Sequence, residues 1–131
     1  MNQNKLVVIK TTSLSVKEVI DKLEKIIQEK GVKIFARINY AQGASDVGLT
    51  MPEQELLIFG NPKVGTSLML ENPVIGIELP LKILAWRSEQ KTMLASYDLD
   101  QLAELFNLKT SLDKVALLKN FMENLMQAVA A

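Results

Sequence analysis

Between Ile58 and Trp86 the chain reads IFGNPKVGTSLMLENPVIGIELPLKILAW, a run in which Gly, Asn, Pro and Lys interrupt segments apolar enough to be core. Prolines 62, 73 and 80 each remove a backbone donor and fix φ, so no single strand or helix can cross the whole stretch. It has to be a shaped corner between regular elements. Asn61 followed by Pro62 makes a helix start, with Asn as N-cap and Pro at the first helical position, and that helix should run to about Glu71. Asn72 and Pro73 end it, and Pro80 moves the start of the next strand to near Leu81.

The rest of the chain reads more regularly. Lys5 to Thr12 is rich in β-branched residues and its LVVI centre is apolar on both faces, which suits a strand inside a sheet rather than at its edge. Ser15 and Glu18 form a capping-box pattern, and Val16, Val19, Ile20, Leu23, Ile26 and Ile27 recur at helical spacing until Lys30 and Gly31. VKIFARI alternates, with Val32, Ile34, Ala36 and Ile38 on one face and Lys33, Phe35 and Arg37 on the other. Asn39 to Thr50 reads as a loop with one helical turn over Tyr40 to Ala44, and EQELLIFG as the third strand. LKILAWR and TMLASYD flank a polar SEQK turn and form a hairpin. Asp98 or Asp100 caps a short helix through Phe106, and Ser111 opens a longer one with Val115, Leu118, Met122, Leu125 and Val129 on its inner stripe.

The order β-α-β-β-α-β-β-α, with no repeat and no long linker, predicts an α+β fold in a single domain over residues 1–131. Its sheet of about five strands is mainly antiparallel, with helices packed on one face. The other face is then solvated, covered by the 39–50 loop, or paired with a second subunit.

Composition removes whole classes of chemistry. The 131 residues include no Cys and no His, which excludes thiol nucleophiles, imidazole bases and thiolate or imidazole metal sites. Oxygen chemistry and Lys remain, and no cofactor or metal is called for. The 15 basic and 15 acidic side chains cancel, so no net field gathers nucleic acid or an anionic membrane. The start, MNQNKLVVIKTTSLS, has no secretion-signal pattern and no apolar run is long enough to span a bilayer, so a cytoplasmic setting is expected.

Several residues admit two readings. GNPKVGT runs from strand to helix through Gly, Lys and Thr, yet it lacks the GxxxxGK[ST] spacing and Pro62 deletes a cradling amide. A capped helix is the simpler account; a weak anion site from the Lys63 and Val64 amides with the Lys63 ammonium is the alternative. Arg37, Asn39 and Tyr40 either orient a ligand or finish a strand and anchor a loop. Glu78, the one acid in an apolar stretch, is either a buried acid or base or a rim residue paired to Lys82. Phe59 and Trp86 read as core or subunit-interface residues, and the methionines as gap-filling core.

On FARINYAQGA, LLIFGNPKVGTSLM, NPVIGIELPLKILAW and Tyr97, the chain resembles the family catalogued as domain of unknown function 302. The resemblance implies a small α+β fold with a curved antiparallel sheet, similar in shape to the TATA-binding protein, and a tendency to dimerise. Members of that family usually carry an Asp-His pair where this chain has Asn39 and Tyr40, so chemistry resting on that pair does not transfer. It also implies that the loop around Tyr40 faces the FGNPK corner. The expectation is therefore a non-enzymatic binding module, a homodimer holding a small molecule or a protein partner, with no nucleic-acid or membrane partner. Its pocket would lie between the 39–50 loop and the Gly60 corner, drawing on Arg37, Asn39, Tyr40, Gly60, Asn61, Lys63, Thr66 and Glu78. The alternative is a small enzyme using Tyr40, Lys63 and Glu78 for acid-base work.

Overall fold

Helix α1 (Val16–Glu29) starts on a complete capping box: Ser15 Oγ accepts from the Glu18 amide at 3.1 Å, and Glu18 accepts from the Ser15 amide at 2.8 Å. Its stripe of Val16, Val19, Ile20, Leu23 and Ile27 is fully buried, each side chain contributing about 1.5–3 kcal/mol. The computed structural model describes residues 5–130, so residues 1–4 and 131 at the ends of the expected domain lie outside the described part.

Five strands, β1 (Val7–Thr12), β2 (Lys33–Asn39), β3 (Gln54–Gly60), β4 (Leu81–Ser88) and β5 (Lys91–Tyr97), form one sheet in the order β1-β5-β4-β3-β2. Every neighbouring pair is antiparallel. The helices are α1, α2 (Tyr40–Asp46), α3 (Pro62–Glu71), α4 (Leu99–Leu105) and α5 (Leu112–Val129), with a 3-10 turn over Pro73–Ile77. The α+β class and antiparallel sheet are as the sequence predicts. Because β1 and β2 occupy opposite edges, α1, which joins them, has to cross the sheet. It packs there beside α5.

Register sorts the strand residues onto two faces. Leu57 stands opposite Ile83, Phe59 opposite Leu81, and Ala85 opposite Leu94, all buried on the helix side. Phe59 meets Phe121 of α5 edge-on, with ring centres 6.2 Å apart. On the other face Leu56, Ile58, Leu84, Trp86, Met93 and Ala95 are only half-buried.

Two strand expectations need correction. β1 is an edge strand, paired only with β5 among the described residues, although its centre is apolar on both faces. Edge or interior placement is decided by where α1 carries the chain, which local composition does not record. In β2 the simple alternation fails at Phe35, where a register shift against β3 lies between Ile34 and Ala36. As a result Ile34 and Arg37 share the helix side, whereas Ala36 and Ile38 face the other way. Smaller differences are a full α2 in place of one turn and a tighter hairpin, closed at Ser88 and Lys91 with Glu89 at φ +55°. Asp98, not Asp100, caps α4.

Candidate functional site

The two ends of β3 carry the two halves of the expected pocket, and the strand keeps them apart. Asn39 pairs with Glu55 at one end and Lys33 with Gly60 at the other. Five residues of extended chain separate them by about 17 Å. The 39–50 segment therefore does not face the Gly60 corner, and the pocket expected between them does not form.

At the Glu55 end the charged groups of Arg37, Glu55 and Asp21 have internal partners. Arg37 Nε donates to Glu55 at 2.7 Å, and one terminal nitrogen donates to Asp21 at 2.7 Å, with Glu24 at 3.7 Å. Burial alone would lower the pKa of Arg37, but the bonds to Glu55 and Asp21 outweigh it and raise the guanidinium further. It is engaged in tying α1 to the sheet rather than available to a ligand carboxylate. Asn39 accepts from the Gln42 amide at 2.9 Å and caps α2, and Tyr40 stands exposed beside it.

The Gly60 end opens into a cleft of about 260 Å³ lined by Phe35, Gly60, Asn61, Pro62, Gly65, Thr66, Met69, Leu79, Pro80, Leu81 and Leu118. Three of the expected residues, Gly60, Asn61 and Thr66, are thus brought together. Arg37, Asn39, Tyr40, Lys63 and Glu78 are not in its lining. Two glycines keep the space open. A Cβ on Gly60 would sit 3.4 Å from the Pro80 side chain and 3.6 Å from the Phe35 ring; one on Gly65 would sit 3.9 Å from Leu79 and 4.0 Å from Met69. Gly65 lies inside α3, where glycine costs about 0.5–1 kcal/mol relative to Ala. An interior helix glycine is the sequence signal that could have pointed to Met69 and Leu79.

The polar groups around the cleft are spent on one another. Asn61 Oδ1 accepts from the Lys63 amide at 3.0 Å, and the Asn61 carbonyl accepts from the Val64 and Gly65 amides at 3.0 and 3.1 Å. The Thr66 hydroxyl donates to the Pro62 carbonyl. The weak anion site considered for the Lys63 and Val64 amides is therefore corrected: both amides serve the helix cap. What remains is an apolar hollow.

Its walls are fixed from outside. Glu71, at the end of α3, accepts from the Lys109, Thr110 and Ser111 amides and from the Ser111 hydroxyl. The Ser111 hydroxyl, then the three amides, hold its carboxyl at about 2, against the opposing effect of burial. This explains why Ser111 precedes α5 without a side-chain cap of its own. Asn72 donates to the Phe106 carbonyl at 2.7 Å. Tyr97, at the end of β5, donates a hydrogen bond to the carboxylate of Glu78 on the loop before β4. That bond, then burial, pushes the phenol up to about 12. Lys82 donates to the carbonyls of Glu78 and Pro80 at 2.6 and 2.8 Å, so it meets the Glu78 backbone and not its carboxylate; burial lowers its pKa.

A second groove, of about 300 Å³, runs between β1 and α5; among its charged groups Asp100 and Lys119 pair with each other at 2.6 Å, Asp98 caps α4, and Lys10 and Glu123 are exposed. Among the described residues no cluster of three or more acidic side chains is placed to hold a metal ion, and no helix is long and apolar enough to cross a membrane.

Comparison with known proteins agrees with this fold. The family model described as Domain of unknown function DUF302 matches residues 8–131. The crystal structure of an uncharacterized conserved protein DUF302 from Bacillus stearothermophilus aligns with a TM-score of 0.82 at 17% identity, covering 95% of this chain and 98% of that one. Among curated proteins, the chain is 38% identical over 100 residues to fluoride-specific ion channel FluC 1 of Brucella suis and to FluC 2 of Brucella melitensis. Each match covers 76% of this chain, which spans only 39% and 37% of the length of those relatives.

Proposed function

This chain belongs to the DUF302 family, and we propose that it is a non-catalytic binding module, a cytoplasmic homodimer that holds a small uncharged apolar molecule in the cleft beside Gly60. The observation that carries this reading is the Gly65 position: a helix-interior glycine that forgoes stability and leaves an apolar hollow unfilled. A cavity of about 150 Å³ already admits benzene, so one of about 260 Å³ has room for a fused ring pair or a short branched chain. The spent amides of α3 and the absence of a charged side chain from the lining disfavour an anionic ligand. The cytoplasmic setting is supported by the cysteine-free composition.

The enzyme alternative needs Tyr40, Lys63 and Glu78 at one concavity. Tyr40 lies past the end of β3 opposite the one that leads to Lys63, and Glu78 is occupied by Tyr97. Neither arrangement supports shared acid-base work.

The test is a fluorescence titration with neutral N-phenyl-1-naphthylamine beside anionic anilinonaphthalene sulfonate. Saturable binding of the neutral probe, weakened at least about 10-fold by Gly65→Leu, is expected. No saturable binding, or equal binding by the variant, contradicts the proposal.

The Brucella relatives favour a second role, as a module that acts beside a fluoride-handling membrane protein. The ion path itself is not proposed for this chain, since no described helix could cross a membrane. Fluoride tolerance that falls when the gene is deleted, and returns with the full chain, is the expected result; unchanged tolerance removes this role.

A further inference from the structure

Three hollows follow one another across the sheet in the order of its strands. The cleft opens where β3 meets β4, a small hollow lies between the start of β4 and the end of β5, and the second groove follows between β5 and β1. Neighbouring hollows share walls. Leu79, Pro80 and Leu81 border both the cleft and the middle hollow, and Tyr97, Leu99 and Met122 border both the middle hollow and the groove. Helix α5 runs past all three: Leu118 lines the cleft, Met122 the middle hollow and the groove, and Met126 the groove. Successive residues of this set are one i,i+4 step apart, so they share one helix face and span about 12 Å along it. Two inter-strand spacings, from the β3–β4 junction to the β5–β1 junction, give about 10 Å. Helix and sheet therefore set a similar length for the row.

We infer that the three hollows form one tract for an extended aliphatic chain, with its tail in the cleft and an uncharged, hydroxyl-bearing head in the groove. The inference rests on the proposed reading of the cleft and names the class of molecule that it holds. The tract is narrowest at the middle hollow, which measures about 10 Å³, on the order of one water. Its stopper is Met122, an unbranched thioether with three rotatable bonds that adapts to a passing chain more readily than a branched residue. The polar groups beside this narrowing are already paired: Tyr97 donates to Glu78, and Lys82 donates to the Glu78 and Pro80 carbonyls. It is a passage for methylenes and not for a polar group. The two ends differ in the same sense. The cleft is apolar with its cap amides spent, whereas Lys10 and Glu123 stand exposed at the groove. An ammonium donates and a carboxylate accepts, so a hydroxyl, which does both, matches the pair, and a charged head is repelled by one of them. An extended chain covers about 3.8 Å in three bonds, so a row of about 12 Å takes roughly ten carbons.

The test uses the full chain and 1-decanol, with N-phenyl-1-naphthylamine reporting on the cleft alone. Decanol is expected to displace the naphthylamine and to move the methyls of Met69, Met122 and Met126 together. Nuclear Overhauser contacts should run from its terminal methyl to Met69 and from its hydroxymethyl end to Met126. 1-Hexanol, too short for the whole row, should leave Met126 in place. Val8→Trp fills the groove from a half-buried site on the edge strand, and should weaken decanol at least about 10-fold while naphthylamine binding stays unchanged. Decanol that moves Met69 but not Met126, that binds the variant as well as the parent, or that shows the two contacts reversed overturns the tract and leaves the cleft reading intact. Naphthylamine binding without decanol binding does the same. Binding of neither molecule overturns both.

Discussion

At one end of β3 the strand finishes in polar side chains that satisfy one another; at the other it finishes in a bend whose side chains leave a hole. Arg37, Glu55, Asp21 and Asn39 are the more distinctive residues, yet their hydrogen bonds are turned inward, joining α1 and α2 to the sheet. Gly60, Gly65, Met69 and Leu79 are plainer, yet they bound the cleft. The difference teaches that residue type alone does not mark a site. A polar cluster closes on itself when the fold supplies its partners, and an apolar corner stays open when glycine withholds the filling atoms.

Arg37→Ala probes the closed end with the largest expected effect. It strands the buried carboxylate of Glu55 and should cost about 2–4 kcal/mol in urea unfolding. Probe binding by the folded variant should be unchanged; the reverse pattern, lost binding at full stability, would erase the distinction between the two ends.

Glu71→Gln probes the anchor of the cleft wall. The carboxyl is held at about 2 in the folded chain against an ordinary 4.5, so its contribution is present above about pH 4.5 and is lost as pH falls toward 2. Thermal melts should show a lower melting temperature at neutral pH and a flatter acid limb in the variant. An acid limb identical to that of the parent would show that the amides of residues 109–111 do not hold this group.

Tyr97→Phe removes the bond to Glu78 and should cost about 0.5–1.5 kcal/mol. In the parent, a phenol raised to about 12 stabilises the fold fully below about pH 10 and loses that contribution as pH rises through 12. Ultraviolet titration of the Tyr40→Phe variant, which isolates Tyr97, should give a midpoint well above the usual tyrosine value.

The smallest change sharpens the comparison most. Gly65→Ala should stabilise the chain by about 0.5–1 kcal/mol, because the added methyl meets only ordinary contacts and improves helix propensity. It should also weaken probe binding. A gain in stability with undiminished binding would make the hollow a packing defect rather than a site.

The elements were legible where their signals are local. The capping box at Ser15 and the Asn-Pro start of α3 each lie within a few residues, the stripe of α5 repeats at three- and four-residue steps within one helix, and each is observed. What could not be read depends on residues far apart in sequence. Arg37 finds Asp21 and Glu55 from 16 and 18 positions away, Glu78 finds Tyr97 from 19, and Glu71 finds Ser111 from 40. The edge position of β1 and the bulge at Phe35 follow likewise from the crossing of α1 and the pairing with β3. The corner after Phe59 was visible because Gly60, Asn61 and Pro62 mark a bend; its lining from Phe35, Leu79 and Leu118 was not.

Methyl spectra of the protein labelled at methionine test the cleft most directly, because Met69 lines it whereas Met122 and Met126 are buried elsewhere and Met93 lies on the open sheet face. Titration with N-phenyl-1-naphthylamine should move the Met69 methyl saturably and leave the Met93, Met122 and Met126 signals in place. A Met69 signal that stays fixed while Met93 moves, or no saturable change at any methyl, would contradict the account.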